Sequence, residues 1–167
     1  MGKFKYGKTS LSRREGVIIY IILTSELALS NSTSLDWGVG PYGGKRSPEE
    51  QNKLFKDGRS KADGYNKKSY HQSGLALDLV PVINGKMTWE NRKAFLVIRK
   101  LMFDAWTSLQ VQGKIPKEYY LHWGGFWGAV DKNNDGIQQE NELGWDSPHF
   151  EIRKYPQKIK FPRIWDL

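Results

Sequence analysis

Residues 69–81 read SYHQSGLALDLVP, and the aspartate near the end of that run poses the first problem of the chain. Leu75, Ala76, Leu77, Leu79 and Val80 surround Asp78, a composition that predicts a buried strand. Alternate side chains of a strand share a face, so Ala76, Asp78 and Val80 point one way and Leu75, Leu77 and Leu79 the other. An ionised carboxylate in that setting needs a compensating positive charge or a metal. His71, upstream of the flexible Gly74, can curl back from a loop toward the same face.

Working outward, Asn84-Gly85-Lys86 predicts a hairpin-like turn after this strand. The upstream segment WGVGPYGGKRSPEEQ, residues 37–51, reads as a strand-like piece, a glycine-rich turn and the start of a short helix reaching about Phe55. Ser47 is its N-cap, with Pro48 at the first helical position and Glu50 at the third, a capping box. Residues 56–69, KDGRSKADGYNKKS, are rich in turn formers and read as a loop.

Downstream, Trp89 to about Gln110 is the clearest helix, with Phe95, Ile98, Met102, Phe103 and Trp106 on one face. YYLHWGGFWGAV (119–130) reads as strand, and so does HFEIR (149–153). Over residues 11–30 the β-branched run VIIYII argues for a strand, while the length and the following SELALS argue for a helix; helix is the preferred reading. Helices and strands are segregated rather than alternating. The expected class is α+β, a single domain over 1–167 with a small antiparallel sheet and helices packed on one side. Residues 153–167 form a basic tail, with Pro156 and Pro162, expected to wrap the surface.

Bulk properties narrow the function classes. The 167 residues suffice for one domain with a real core, and 38% hydrophobic with 26% charged residues is ordinary globular composition. Seven tryptophans and eight tyrosines fill a core or line a groove for an extended polymer, and composition does not separate the two. The net charge of +8 favours encounters with anionic partners, although a merely soluble basic surface accounts for it equally well. No basic run is long enough for a nucleic-acid arm. The absence of cysteine excludes disulfides and cysteine-based zinc sites. A basic start followed by the apolar run Val17–Leu23 has the outline of a signal peptide, but the run is too short to span a bilayer and Glu26 follows. A buried element is preferred.

A second constellation offers partners for Asp78. WDSPHFEI, residues 145–152, places His149 and Glu151 on one strand face and Phe150 and Ile152 on the other, with Asp146 three residues before His149. Two imidazole nitrogens and one carboxylate make a three-ligand zinc site with a position open to water, and a further carboxylate nearby can shuttle a proton. On spacing alone, either histidine reads equally well as structural.

The segment DKNNDGIQQENE, residues 131–142, matches the EF-hand pattern at each specified position. Asp131, Asn133, Asp135 and Glu142 would supply side-chain oxygens to calcium, Ile137 a carbonyl, and Gly136 the sharp turn. Gln138 stands where a hydrophobic residue is expected, and no helix obviously precedes the loop. The alternative is a solvated turn of aspartates and asparagines; calcium is the favoured reading.

Ser69, His71, Gly74, Ala76 and Asp78 meet the pattern S-x-H-x-x-G-x-A-x-D, and Asp146 and His149 meet D/E-x-x-H. The chain thereby resembles the zinc D-Ala-D-Ala carboxypeptidase and L-alanyl-D-glutamate endopeptidase family. FKYGKTS (4–10), GGKRSPEEQNKLFKDGRSK (43–61), VINGKMTW (82–89) and WGGFW (123–127) extend the likeness to phage endolysins of the endopeptidase branch, over about residues 4–152. It departs at GVIIYII, more apolar than the family's usual first helix, and at Phe126, where relatives often carry a polar residue.

The resemblance implies that His71, Asp78 and His149 bind zinc and that Asp146 is the general base. Arg46 and Ser69 would meet the substrate, Arg46 binding a carboxylate or steadying the oxyanion. Ser69 and Glu151 would also orient the histidines. His122 matches no ligand position and reads as structural. The implied activity is cleavage of the L-Ala–D-Glu bond of bacterial peptidoglycan stem peptides by a phage endolysin. That enzyme would be held in the host cytoplasm until lysis and would act on the cell wall. It is expected to be a monomer without nucleic-acid partner or stable membrane insertion, and calcium would regulate it through the loop just before Asp146. The alternatives are a D-Ala-D-Ala carboxypeptidase with the same zinc site, or a non-catalytic wall-binding or calcium-binding module.

Overall fold

A computed structural model describes residues 3–132 and 139–156. Among them are the helices α1 (Lys8–Arg13), α2 (Ile19–Asn31), α3 (Pro48–Lys56) and α4 (Arg92–Val111). The strands are β1 (Asp36–Val39), β2 (Ala76–Ile83), β3 (Lys86–Met87), β4 (Tyr119–Trp123) and β5 (His149–Lys154). The strands form one antiparallel sheet in the order β1-β2-β5-β4, with β3 pairing the far end of β2. This is the α+β arrangement anticipated above.

Register divides the sheet into two chemically distinct faces. Leu77 pairs with Phe150, Phe150 with Trp123, and Ile152 with Leu121, and all five side chains are buried. They pack with Ile21 and Leu29 of α2 and Phe95, Ile98 and Met102 of α4 into the main core. Full burial of side chains this size is worth about 1.5–3 kcal/mol each. The opposite face carries Asp78 paired with His149, and Ala76 paired with Glu151, which in turn pairs with His122. Helices α2 and α4 therefore anchor the sheet from one side, whereas α3, expected with them, borders the polar row on the other through Gln51 and Leu54.

The single element expected over 11–30 is broken after Arg13, and residues 19–22 of the β-branched run form the first turn of α2, with Ile18 as its N-cap, because tertiary contacts override their strand preference. The Ile18 N–H donates to the Gly74 carbonyl at 2.8 Å, fixing the helix entry beside the segment that carries His71. Ser47 caps α3 as the capping box predicts: its hydroxyl accepts from the Glu50 N–H, and the Glu50 carboxylate accepts from the Ser47 N–H at 2.8 Å. Two expectations need correction. His71 lies on a 3-10 turn, Tyr70–Ser73, rather than in an irregular loop. The strand over 119–130 ends at Trp123, and Gly124–Phe126 form another 3-10 turn. There the chain passes under the Asp146–His149 turn so closely that a Cβ on Gly124 would lie 2.5 Å from the Asp146 carbonyl oxygen.

Of the segment expected to bind calcium, Asn133, Asp135, Gly136, Ile137 and Gln138 lie outside the described residues, as does the tail from residue 157 onward. No helix among the described residues is long and apolar enough to cross a membrane.

Candidate metal centre

The cross-strand pair Asp78–His149 is the base of the site, and the 3-10 turn brings His71 over it. His71 Nε2, Asp78 Oδ1 and His149 Nδ1 form a nearly equilateral triangle. Their separations are 3.1 Å for His71–Asp78, and 3.0 Å both for His71–His149 and for His149–Asp78. All three residues are buried.

Each imidazole is held by its other nitrogen. His71 Nδ1 lies 2.8 Å from the Gly44 carbonyl oxygen, a group that can only accept, so Nδ1 carries the hydrogen and Nε2 presents its lone pair. His149 Nε2 lies 2.9 Å from Glu151 Oε2, which fixes the opposite tautomer and turns the Nδ1 lone pair inward. Glu151 is fixed in turn by the Arg153 Nε–H on its second oxygen. Ser69 caps the 3-10 turn, its hydroxyl accepting from the His71 N–H at 3.3 Å.

Gly44 is indispensable in this scheme, because a Cβ there would stand 1.8 Å from the Arg13 carbonyl oxygen. Trp127 covers the other side, its ring 5.0 Å from that of His149, while its indole N–H donates to His122 Nε2 at 2.7 Å. His122 is thus occupied outside the triangle, in line with a structural role.

Three lone-pair atoms about 3 Å apart repel one another unless positive charge sits among them. A proton is one solution. Burial disfavours a charged His149, but hydrogen bonds to Asp78 and Glu151 and the charges of Asp78 and Asp146 outweigh it and raise its pKa to about 9. His71 moves the other way, lowered by burial despite Asp78 beside it. Burial opposes the Asp78 carboxylate too, yet the charge and hydrogen bonds of the two histidines hold it well below the usual range.

A metal ion is the other solution, and the donor set fits one. Ligands at ~2.0–2.2 Å from a tetrahedral zinc stand about 3.3–3.5 Å apart, so expansion by a few tenths of an ångström turns this triangle into one tetrahedral face. Two neutral imidazoles and a single carboxylate oxygen are ordinary zinc ligands.

Arg46 occupies the flank of Asp78. Its NH2 group donates to Asp78 Oδ2 at 2.7 Å, Nε to the Tyr42 carbonyl and NH1 to Gln51 Oε1 at 3.1 Å. Oδ2 is thereby committed, leaving Oδ1 for the triangle. Three of the five guanidinium N–H groups make these bonds, which leaves two for another partner. Asp146 lies in the same groove, and burial together with the Asp78 charge raises its pKa to about 6, against the pull of His149 and Arg46.

The groove encloses about 400 Å³ and opens over His71, Asp78, Asp146 and His149. Aromatic side chains, including Tyr70, Trp89, Trp127 and Trp145, line part of it. In the 131–142 segment, Glu142 is buried and accepts from the backbone N–H groups of Lys132 at 2.8 Å and Gln139 at 2.9 Å.

A family model described as phage L-alanyl-D-glutamate peptidase matches residues 1–153. The chain belongs to the phage L-alanyl-D-glutamate peptidase family. Within reach of that assignment, the chain is 31% identical over 85 residues to the L-alanyl-D-glutamate peptidase of Escherichia phage T5. That match covers 51% of this chain and 54% of the relative, so the chain spans about half the length of the curated relative it matches. Its fold resembles the crystal structure of the L-Ala D-Glu endopeptidase ChiX of Serratia marcescens, with a TM-score of 0.62 and 22% identity. The likeness covers 90% of this chain and 92% of ChiX.

Among the residues singled out in the sequence, the fold gathers His71, Asp78, His149, Asp146, Arg46 and Glu151 at one groove, with Ser69 at its lip. Sequence reasoning missed the Gly44 carbonyl, Gln51, Trp127 and Arg153. Gln51, at the end of the SPEEQ segment, and Arg153, alternating with Glu151 and His149 along β5, left a detectable signal. The Gly44 carbonyl is a backbone group and left none.

Proposed function

We propose that this chain is a zinc-dependent peptidoglycan peptidase that cleaves the L-Ala–D-Glu bond and serves a phage as its endolysin. The observation that carries this reading is the triangle of inward-facing lone pairs beside a carboxyl poised near neutral pH. His71, Asp78 and His149 would hold a divalent ion, which would supply Lewis acidity and lower the pKa of a coordinated water to about 7.

The protein's own groups do the rest. Asp146 accepts a proton from the water as it attacks the scissile carbonyl, and a carboxyl with a pKa of about 6 exists mainly as carboxylate at neutral pH. The same proton then passes from Asp146 to the leaving amine nitrogen as the C–N bond breaks. Arg46 keeps Asp78 in place and directs its two remaining N–H groups toward charge developing on the tetrahedral oxygen. Glu151 holds His149 in the tautomer that binds. The aromatic side chains cover the apolar parts of an extended peptide and exclude water.

Calcium binding by Asp131, Asn133, Asp135, Ile137 and Glu142 would order the approach to Asp146 and so tune the base. Glu142 accepts from the Lys132 and Gln139 N–H groups, bonds that a calcium ion would have to share or replace. The protein would remain in the host cytoplasm until lysis exposes the wall.

The test is mass spectrometry of purified muropeptides digested with and without a chelator, alongside elemental analysis of the active protein. New L-alanine carboxyl ends that depend on zinc are expected. Release of D-alanine would replace the endopeptidase with a carboxypeptidase, and undiminished cleavage by metal-free protein would remove the metal mechanism.

A further inference from the structure

The groove has a second charged feature that the hydrolytic chemistry leaves unused. Arg59, Lys61, Lys67 and Lys68 line it from the connection between α3 and the 3-10 turn of His71. All four are exposed, and none has a carboxylate partner among the described residues. Asp63, on the same connection, is turned to local work, accepting from the backbone N–H groups of Tyr65 and Lys67 at 2.9 and 2.8 Å.

Two of the three acidic groups that line the groove are equally committed. Asp78 is held by Arg46 and the two histidines, and Glu151 by His149 and Arg153. One wall therefore presents four cations without an ion-pair partner among the described residues, bordering a site in which Asp78 and Glu151 are committed and Asp146 is the base. Its position is defined by Lys61, whose ammonium lies 4.5 Å from the ring centroid of Trp145, the residue directly before Asp146. A cation is thus placed on the groove wall, against the ring of the residue that precedes the base.

We infer that this wall is a carboxylate subsite, which reads a free carboxylate on the substrate residue adjoining the scissile bond. The inference rests on the peptidase reading above and deepens it. In a stem peptide the second residue, D-glutamate, continues the chain through its side-chain carboxyl, so its α-carboxyl projects as a free anion next to the amide that is cut. The basic wall sets the substrate class: peptides carrying that carboxylate are preferred over those in which it is a carboxamide. A charge-assisted contact replaced by a neutral one costs about tenfold or more in kcat/KM, and the preference weakens with salt because the lysines are exposed.

The experiment uses zinc-loaded full-length protein and two synthetic stem peptides, identical except for a free carboxylate or a carboxamide on the second residue. The readout is the ratio of their kcat/KM values, for the wild type and for K61Q, R59Q and K61Q/K67Q/K68Q, with melting temperatures to verify folding. A wild-type ratio of about ten or more, falling toward one in the triple variant and in high salt, is expected. Equal cleavage of both peptides by the wild type, or an unchanged ratio in the triple variant, overturns the subsite and leaves the peptidase reading standing. Cleavage of neither peptide overturns both.

Discussion

Glu151→Gln tests the part of the site that distinguishes a metal centre from an ordinary buried polar cluster. Both carboxylate oxygens of Glu151 accept hydrogen bonds, one from His149 Nε2 and one from Arg153 Nε. Glutamine has a single acceptor. The His149 side chain is only 6% exposed whereas that of Arg153 is 32% exposed, so the amide oxygen stays with His149 and Arg153 turns to water. The cost is then the lost negative charge, which lowers the basicity of His149. That places the variant near the lower end of the ~10- to 100-fold range for such partners, about 1.4 kcal/mol. Glu151→Leu leaves the buried Nε2–H without an acceptor and belongs at the upper end, about 100-fold.

Proton competition modifies what is measured. In the metal-free wild type, His149 holds a proton up to about pH 9, and zinc must displace it. Apparent affinity therefore rises about tenfold per pH unit from 7 to 9. In Glu151→Gln the His149 pKa is lower, the displaced proton costs less at pH 7, and the deficit against wild type widens as the pH rises. Zinc titration against a competing chelator at pH 7 and pH 9 reads both quantities. Affinities of both variants within twofold of wild type at pH 9 would refute the role given to Glu151 and the tautomer assigned to His149.

Asp146→Asn should retain one zinc per chain and lose about 10²- to 10⁴-fold in kcat, checked by elemental analysis and peptide hydrolysis. Folding raises the Asp146 pKa to about 6, so its contribution to stability is complete below about pH 4 and lost as the pH rises through about 6. Metal-free Asp146→Asn should therefore match metal-free wild type near pH 4 and exceed it at pH 8, by on the order of 2 kcal/mol in denaturant unfolding. Zinc binding at pH 7.5 should release more than one proton and fewer than two, one from His149 and most of another from the coordinated water, seen as a dependence of calorimetric heat on buffer ionisation enthalpy. Gly44→Ala should cost about 3 kcal/mol or more, because backbone has to move to admit the methyl group. It should also weaken zinc binding by displacing the carbonyl that orients His71, measured by thermal unfolding and chelator titration.

The unease of Asp78 in an apolar run was legible because strand periodicity forces it onto a face, and the HFEI alternation put His149 and Glu151 on a matching one. The capping box at Ser47 was local chemistry and survived into the fold unchanged. What escaped was set at a distance. Nothing in VIIYII announces that Gly74 will pin its start as a helix, and nothing in the 119–130 run announces the close passage beneath Asp146 that ends the strand at Trp123. The KDGRSKADGYNKKS segment reads as turns because its composition is that of turns. Its bearing on the groove depends on which neighbours the fold leaves unneutralised.

The sheet order has a consequence for how the protein is made. β5 is the last of the described strands in sequence, yet it lies between β2 and β4. Until it has left the ribosome, those two strands face each other across a missing neighbour, with unpaired edges that invite aggregation or proteolysis. The same late strand brings His149, one of the three side chains of the candidate metal centre. An interrupted chain that stops short of it therefore lacks both a finished scaffold and one corner of the His71–Asp78–His149 triangle, and only molecules whose synthesis has passed that point hold the complete site.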